Sequence, residues 1–458
     1  MSFVFFDTET TGLSRHFDQI VHFAAIKTDL NLKEVDRFEI RSRICAHVVP
    51  HPSALWVNGI RIAQLLDPAR PSHYEMARQI YAKLLSWSPS IFAGFNSIKF
   101  DEEMLRQAFF KTLHPIYLTS RHKNGRGDVL NLAMSAVATS DGSLIVPTVA
   151  GRRSFKLAGL AASNNIPHGS VHDAMSDAQA TVDLCRLIQA RAPEAWQAFN
   201  RFANKAATLD FVESGEAFVF TEYFAGEAYH TPVVCIGTDP ADPNTRLCLT
   251  LNSQTRALLA APPATVLAAL LQKGSPVRRV KVNGGPSLTP LYDADGLQFE
   301  LSEARLERLA EDVRADTAAC QRLVDLVKSQ SKLWPASTHV EQQIYEGFSS
   351  SEDEALLQHF HDGDWPERLA VLGKLKDARL RTLGLRLIHG EAPHVLTAAQ
   401  QLAVQAHLSQ RMQGEGGPLC LGHAIAEADA LLFEHAQHDI SHLIEYRQYL
   451  ANRISAAA

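Results

Sequence analysis

Two carboxylates at the end of an apolar run are the first residues of this chain that could do chemistry. The apolar residues 3–6 lead directly into Asp7 and Glu9. Residues i and i+2 of a strand share one face, so these two side chains point the same way. Carboxylates held together at the end of a buried element repel each other and lose water, which usually requires a cation. A strand that runs into a turn rich in Asp, Thr and Gly would also explain the segment, so both interpretations stay open here.

Two later segments supply the partners that a cation site would need. Asp101 follows an apolar strand and a glycine and begins a helix, while His172 and Asp177 stand at the start of another helix. Asp101 could equally be a favourable first-turn acid, and His172 a loop histidine. Taken together, four acids from three elements form the cage of oxygens that a pair of divalent cations needs. Mg²⁺ prefers such ligands, and the imidazole of His172 suits a general base.

The elements that must position these residues follow an α/β pattern through residue 195. The pattern predicts strands at Ser2–Asp7, His22–Lys27, Val35–Ile44 and Ser90–Gly94. It predicts helices at Tyr74–Trp87, Asp101–Leu113, Val129–Val137, Lys156–Ala162 and Ala174–Ala190. Asn124–Asp128 is interpreted as a polar loop. Alternation of this kind predicts a central sheet covered by helices.

The remainder of the chain divides into a β-rich segment and a helical one. Short strands are predicted at Ala217–Phe224, Pro232–Ile236, Leu247–Leu251 and Val277–Val282, with a helix at Thr265–Gln272 and one long or two shorter helices over Leu306–Lys328. Pro335 ends that helical pattern. Later helices are predicted at Glu352–His361, which a capping box at Ser351 and Glu354 opens, and at Trp365–Leu375, Ala378–Leu387, Thr397–Met412 and Ala424–Arg453. Since 458 residues exceed a single core, we predict domains at 1–195, 196–335 and 336–458.

Composition and charge bear on three properties of the protein: nucleic-acid binding, cellular compartment and membrane contact. The net charge of -6, from 50 acidic and 44 basic residues, is not typical of a nucleic-acid binder, but metal-binding acids lower the total in an enzyme. The six cysteines are scattered without a CxxC pair, which favours a reducing compartment. No apolar run is long enough for a membrane span, and the start lacks a signal-peptide pattern. We therefore expect a cytoplasmic protein with no membrane contact.

A single nucleic-acid strand would need cations and aromatic stacking surfaces. Arg126 and Lys156 are candidate cations, and the candidate stacking residues are Phe95, Phe100, Phe155 and Tyr345. Most basic residues are simply solvated and most phenylalanines belong to a core, so that alternative stays open for each. Asn96 and Lys99 rank first because they precede Asp101 within one motif.

Three motifs, in order and spacing, resemble those of the DEDDh superfamily of 3′→5′ exonucleases. They are Asp7-Thr8-Glu9-Thr10-Thr11-Gly12, Asn96 with Asp101, and His172-Asp173-Ala174-Met175-Ser176-Asp177. Gly94-Phe95-Asn96-Ser97-Ile98-Lys99-Phe100-Asp101 and Gln342-Gln343-Ile344-Tyr345-Glu346-Gly347-Phe348 narrow the likeness to the bacterial exonuclease I family. That resemblance implies a ribonuclease H-like exonuclease domain, an SH3-like β-rich domain and an α-helical C-terminal domain.

The resemblance also implies a role for each site residue. Asp7, Glu9, Asp101 and Asp177 would bind two Mg²⁺ ions, with Mn²⁺ as a substitute, and His172 would be the general base. Thr8, Thr11 and Leu13 would seat the terminal nucleotide. The expected activity is stepwise release of 5′-mononucleotides from the 3′ end of single-stranded DNA in repair and recombination.

The expected partners are single-stranded DNA and a single-stranded-DNA-binding protein, and the chain is expected to be a monomer. The alternatives are a proofreading or RNA-trimming exonuclease that shares the three motifs and, from another class, a non-catalytic scaffold that binds single strands.

Overall fold

A computed structural model describes residues 2–169, 172–294, 296–330, 335, 337–414 and 417–457. None of the helices in these parts of the chain is both long and apolar enough to cross a membrane.

The first domain is built on a mixed five-stranded sheet. Its strands are β1 (Phe3–Thr10), β2 (Ile20–Thr28), β3 (Glu34–Arg41), β4 (Ile91–Gly94) and β5 (Gly125–Asp128), in the spatial order β3-β2-β1-β4-β5. β1 pairs antiparallel with β2 and parallel with β4. It is therefore the central strand, and its apolar residues are buried on both faces.

Helices cover both faces of this sheet. They are α1 (Pro52–Asn58), α2 (Ile62–Leu65), α3 (His73–Ser86), α4 (Asp101–Lys111), α5 (Val129–Thr139), α6 (Leu157–Ser163) and α7 (Ala174–Arg191), with a small hairpin of β6 (Thr148–Val149) and β7 (Arg152–Arg153). Phe3 and Phe5 pack among residues of α5 and α7, whereas Val4 and Phe6 pack among residues of α3 and α4. The alternation along β1 thus fixes which face each side chain enters.

β5 corrects the prediction of a polar loop at Asn124–Asp128. All four residues of the strand are buried, and two of them are glycines. A Cβ on Gly127 would lie 2.4 Å from the ring of Phe199, and one on Gly125 would lie 2.9 Å from the carbonyl oxygen of Ala203. The strand is stabilised by close packing of its backbone rather than by apolar side chains. Its amino-acid sequence therefore resembles that of a turn.

The second domain contains an antiparallel five-stranded sheet. Its strands are β8 (Phe218–Phe224), β9 (Glu227–Asp239), β10 (Asp242–Thr250), β11 (Val277–Lys281) and β12 (Ser287–Pro290), in the order β11-β10-β9-β8-β12. Its helices, with the two that lead into it, are α8 (Pro193–Phe202), α9 (Lys205–Glu213), α10 (Thr255–Ala260), α11 (Pro263–Leu271), α12 (Glu303–Ala315) and α13 (Thr317–Ser329). The pattern over Leu306–Lys328 thus belongs to two helices, because Asp316 caps the second by accepting a hydrogen bond from Ala319. The predicted boundary at 195–196 falls inside α8, whose Trp196 packs against Phe3 in the first core with a ring-centroid distance of 5.2 Å.

The third domain is helical. Its helices are α14 (Ser351–Asp362), α15 (Trp365–Leu372), α16 (Ala378–Glu391), α17 (Ala398–Gln413), α18 (Leu421–Glu434) and α19 (Ser441–Ala457). The cap of α14 is Ser350 rather than the predicted Ser351, and the helix predicted over Ala424–Arg453 is two helices. Part of the predicted boundary, Trp334 and Ala336, lies outside the described residues.

Apolar contacts join the third domain to the first. Leu421, Tyr446 and Leu450 pack with Val21 and Leu55, and the Tyr446 hydroxyl donates to the carbonyl of Pro50 at 2.5 Å. The fold class is as predicted: an α/β domain, a β-rich domain and a helical domain.

Candidate active site

Four acids from three elements converge beside the C-terminal half of β1. Asp7 and Glu9 lie on that strand, Asp101 is the first residue of α4, and Asp177 lies in the first turn of α7. All four line one cleft of about 1240 Å³. The strand-end pair, which was ambiguous by itself, is therefore one wall of an acidic site.

The charges in this site are poorly compensated. Burial, followed by repulsion from Asp101, Asp177 and Glu9, raises the pKa of Asp7 well above its usual range. Burial and the same kind of repulsion raise the pKa of Glu9 to about 8. Burial also raises the pKa of Asp101 to about 7, although hydrogen bonds from Thr8 act in the opposite direction. The site therefore has the electrostatic character of a group of acids that a bound cation would stabilise.

The donor set fits a hard divalent ion. Carboxylate oxygens dominate it, and one ligand atom from each of Glu9, His172 and Asp177 lies within 4.8 Å of the other two. Among the described residues, the largest influences on the pKa values of Asp7 and Glu9 are burial and the charges of other acids, and all of them raise the pKa. Lysine and arginine are not among these main influences. A bound cation would supply the missing positive charge.

Thr8 holds Asp101 rather than presenting its amide to the cleft. Its backbone N–H and its hydroxyl both donate to Oδ1 of Asp101, at 3.0 and 2.6 Å. These bonds join β1 to the start of α4 and fix the carboxylate that faces Asp7. Thr8 is therefore a support for the acid site in this structure.

Asp128 organises the loop that carries Asn96. It caps α5 by accepting from the backbone N–H of Leu130, and it also accepts from the backbone N–H of Asn96 at 2.9 Å and of Ile98 at 3.3 Å. Asn96 adopts a φ of 60°, in the left-handed region that asparagine tolerates better than most residues. The loop leaves Asn96 and Lys99 exposed at the cleft.

His172 stands apart from the buried residues of the site. It is exposed, lines the cleft and has a φ of 63°. The next residue, Asp173, caps α7 and pairs with Arg41 of β3 at 2.8 Å. The segment that carries His172 is thus anchored at its junction with the helix while the imidazole faces solvent.

The predicted nucleotide contacts separate into two groups. Leu13 is 83% exposed and lines the same cleft as Asn96 and Lys99. Thr11 is fully buried: its hydroxyl donates to Asp18, its N–H donates to Gln19, and its carbonyl accepts from His51.

Arg126 and Lys156 lie outside the cleft lining. Arg126 is 6% exposed, pairs with Glu102 at 2.7 Å and donates to the carbonyl of Asn283. Its placement does not support the prediction that it contacts DNA, because its donors already bind protein groups. Lys156 is exposed at the N-terminal end of α6. Of the candidate stacking residues, Phe95 and Phe100 line the cleft.

His168 is the functional candidate that the sequence analysis missed. Its Nε2 contacts Oδ1 of Asp177, and its side chain is only 7% exposed. The signal was present in the sequence as His168-Gly169-Ser170-Val171-His172, a pair of histidines four residues apart.

The third domain also contributes to the lining of the cleft. Arg411 of α17, His423 of α18 and residues 417–419 line the same cleft as the acids. Residues distant in sequence therefore share one cavity with the carboxylates.

Two family models match the chain. A model described as Exonuclease matches residues 4–185, and one described as Exonuclease I C-terminal domain matches residues 338–453. The two segments together cover more than half of the chain. The chain belongs to the exonuclease I family. Membership in this family makes it a nuclease, that is, a hydrolase of nucleic-acid phosphodiesters.

Named relatives extend the likeness over nearly the whole chain. Exodeoxyribonuclease I of Buchnera aphidicola subsp. Acyrthosiphon pisum (strain APS) is 24% identical over 402 residues, which cover 84% of this chain and 96% of that protein. Exodeoxyribonuclease I of Escherichia coli (strain K12) is 25% identical over 437 residues, which cover 90% and 89%. The crystal structure of E. coli exonuclease I with a dA16 oligonucleotide matches with a TM-score of 0.84 at 22% identity, and the match covers 100% of both chains. This last likeness shows that the exonuclease I fold is shared.

Proposed function

We propose that this member of the exonuclease I family is a 3′→5′ exodeoxyribonuclease that degrades single-stranded DNA to 5′-mononucleotides. The observation that carries the proposal is the convergence of Asp7, Glu9, Asp101 and Asp177 in one cleft beside an exposed histidine. Relatives named exodeoxyribonuclease I, and one solved with a dA16 oligonucleotide, support the choice of substrate.

The four carboxylates would hold two Mg²⁺ ions, with Mn²⁺ as a possible substitute. When bound, the cations would stabilise the negative charge that develops on the phosphate and on the departing oxygen. A relative solved with a zinc ion supports divalent-ion use in general, and the choice of Mg²⁺ rests on the oxygen-rich donor set. Thr8 would keep Asp101 in position for this task.

His172 would take the proton from the attacking water. Its exposed imidazole lines the cleft near Glu9 and Asp177, where a scissile phosphate would lie. The new P–O bond forms in line with the bond that breaks. The leaving oxygen takes up a proton from solvent and becomes the 3′-hydroxyl of the shortened strand, and the released nucleotide keeps the 5′-phosphate.

The substrate end would be seated by residues on the rim of the cleft. Leu13 is apolar and exposed, so it can pack against the terminal base or sugar. Asn96 can donate hydrogen bonds, and Lys99 can neutralise a phosphate. Arg126 and the backbone N–H of Thr11 are not assigned to DNA, because both already bind protein groups.

A single-stranded-DNA-binding protein is the proposed protein partner. The support is a relative solved in a structure described as SSB/Exonuclease I in complex with an inhibitor. A role in repair and recombination, a monomeric state and a cytoplasmic location remain predictions from the sequence.

The test is digestion of 5′-labelled single-stranded DNA, the same strand in a duplex, and a matched RNA, each with Mg²⁺ or with excess chelator. We expect a ladder that shortens from the 3′ end of single-stranded DNA only with Mg²⁺, and 5′-monophosphate products. Asp177→Asn is the matched inactive control. Internal cuts or activity in chelator would overturn the proposal, faster cleavage of RNA would favour the RNA-trimming alternative, and binding without cleavage would favour the scaffold.

A further inference from the structure

Asp177 lies between two histidines that differ in exposure. The side chain of His168 is only 7% exposed, and its Nε2 contacts Oδ1 of Asp177. His172 is exposed and lies within 4.8 Å of both Asp177 and Glu9, atom to atom. The two histidines beside Asp177 therefore differ in their access to solvent, which indicates that they have different roles.

We propose that His168 is a positioning residue that holds the Asp177 carboxylate in its cation-binding orientation. This inference rests on the proposed metal-dependent function. His168 would act through Asp177 and would contact neither the substrate nor the reacting atoms.

The need for such a residue follows from repulsion. A ligand atom of Asp177 lies within 4.8 Å of one of Glu9, and the charge of Asp177 is among those that raise the pKa of Asp7 and of Glu9. An unrestrained side chain would rotate away from them whenever no cation is bound. An N–H donor from His168 opposes that rotation, because it fixes one oxygen at the edge of the cluster.

The contact uses only one oxygen of Asp177. Among the described residues, the hydrogen bond from His168 reaches Oδ1, and none reaches Oδ2. Oδ2 is therefore available as a ligand while Oδ1 is held. Outer hydrogen bonds of this kind to ligating carboxylates typically change metal affinity by about 10- to 100-fold.

His168 lies in a connection whose two ends are fixed to the domain. At the first end, the side chain of Asn164 exchanges two hydrogen bonds with the backbone of Ile145, at 2.9 and 2.8 Å. At the second end, Asp173 caps α7 and pairs with Arg41. Described residues on both sides of His168 are therefore held to the rest of the domain.

Direct measurement of metal binding tests the proposal. Mn²⁺ is titrated calorimetrically into the DNA-free full-length protein, as wild type, His168→Ala, His168→Gln and the exposed-histidine control His394→Ala. We expect the Mn²⁺ dissociation constant to rise by about 10- to 100-fold in His168→Ala. Gln retains a side-chain N–H donor, so His168→Gln should recover most of the affinity, and His394→Ala should match wild type.

Kinetics and stability separate positioning from other roles. At saturating Mn²⁺, kcat of His168→Ala should return to within about tenfold of wild type, since the cation then holds Asp177 by itself. The melting temperature in chelator should change little between His168→Gln and wild type. An unchanged Mn²⁺ dissociation constant in a folded His168→Ala, or a kcat loss that saturating Mn²⁺ does not restore, would overturn the positioning role.

Different results would contradict the metal-dependent function and the positioning role of His168. If the wild-type protein binds no Mn²⁺, the proposed metal-dependent function fails. If wild type binds Mn²⁺ and both His168 variants bind it equally well, only the positioning role of His168 fails. Should His168→Ala not fold, the affinity of His168→Gln relative to that of His168→Phe decides, because phenylalanine fills the space without a donor.

Discussion

Asp101 and Glu102 are neighbours in sequence and are both buried, yet their pKa values shift in opposite directions. Burial raises the pKa of Asp101 to about 7. Burial also acts to raise the pKa of Glu102, but the guanidinium groups of Arg126 and Arg106 outweigh it and lower that pKa. One carboxylate faces other acids in the cleft, and the other faces arginines at 2.7 and 2.9 Å.

The same contrast separates the active site from a buried ion-pair cluster of the third domain, which adjoins the first domain through Gln107. Glu341 is 3% exposed and pairs with Arg386 and Arg411, which together with Lys111 outweigh burial and lower its pKa to about 2. The buried acid of this cluster is therefore neutralised by arginines of the chain, whereas burial and mutual repulsion dominate for the acids of the cleft.

The largest expected effect is that of Asp7→Asn. We expect no detectable cleavage of single-stranded DNA, because the central carboxylate of the acid site is lost. DNA binding should persist, and the metal-free protein should melt at a higher temperature, since a buried and repelled charge is removed. A nuclease assay, a DNA-binding titration and thermal unfolding in chelator check the three outcomes. Near-normal cleavage by purified Asp7→Asn would remove Asp7 from the mechanism.

His172→Ala should lower kcat by about 10²- to 10⁴-fold, the usual contribution of a general base. The reason is that an exposed imidazole near Glu9 and Asp177 is lost while the carboxylates remain. Metal affinity, measured by calorimetry without DNA, should change far less than in His168→Ala. A pH–rate profile identical to that of wild type would argue that His172 transfers no proton.

Glu341→Gln should lower the free energy of unfolding by about 3 kcal/mol, because two buried guanidinium groups lose their counter-charge. Urea unfolding, followed by helical circular dichroism, measures the loss. Glu352→Gln is the matched control, since Glu352 pairs with Lys376 on the surface, and it should give no measurable change. Mn²⁺ affinity should be unaffected by either variant. Equal stability of Glu341→Gln and wild type would contradict the structural role assigned to this pair.

The pH dependence should have opposite signs in the two regions. The acids of the cleft have raised pKa values, so the metal-free folded state binds more protons than the unfolded state, and their effect on stability becomes less favourable from about pH 4 to about pH 8. Glu341 has a lowered pKa, so its stabilisation is present above about pH 4.5 and is lost as the pH falls towards 2.

Metal binding should show the first of these effects directly. Cations must displace protons from Glu9 and Asp101, so Mn²⁺ affinity should rise between pH 6 and 8 by up to about tenfold per pH unit for each proton released. Calorimetry in buffers of different ionisation enthalpy counts those protons. A pH-independent affinity would mean that the acids are already ionised without a cation.

Most of the architecture could be predicted from sequence patterns. Local periodicity and capping predict the central strand and the helices that begin at Asp101 and Ala174. They also predict the change to a β-rich and then to a helical segment. The acidic site could be predicted because its four carboxylates belong to motifs with a recognisable order. The incorrect predictions fall where tertiary packing, and not the local sequence pattern, determines the structure. The glycine-rich sequence of β5 resembles a turn, and the break between α18 and α19 lies inside an apparently continuous helical pattern.

Contacts with the substrate were harder to predict than the acids. Arg126 and Lys99 look alike as cations in the sequence, but one is buried against Glu102 and the other is exposed at the cleft. Which of them is free depends on partners far away in the chain. His168 was missed for the same reason, because its importance comes from touching Asp177 and not from its own residue type.

By itself, the sequence determined the identity of the acids, their order on β1, α4 and α7, and hence the class of chemistry. These features are local, since two-residue alternation in a strand and the first turn of a helix dictate where a side chain points. Only the tertiary structure decided which acids lack a counter-charge, which cations face the cleft, and that a second histidine holds Asp177. Compensation of charge is a property of groups brought together by folding, so it cannot be read from any one segment.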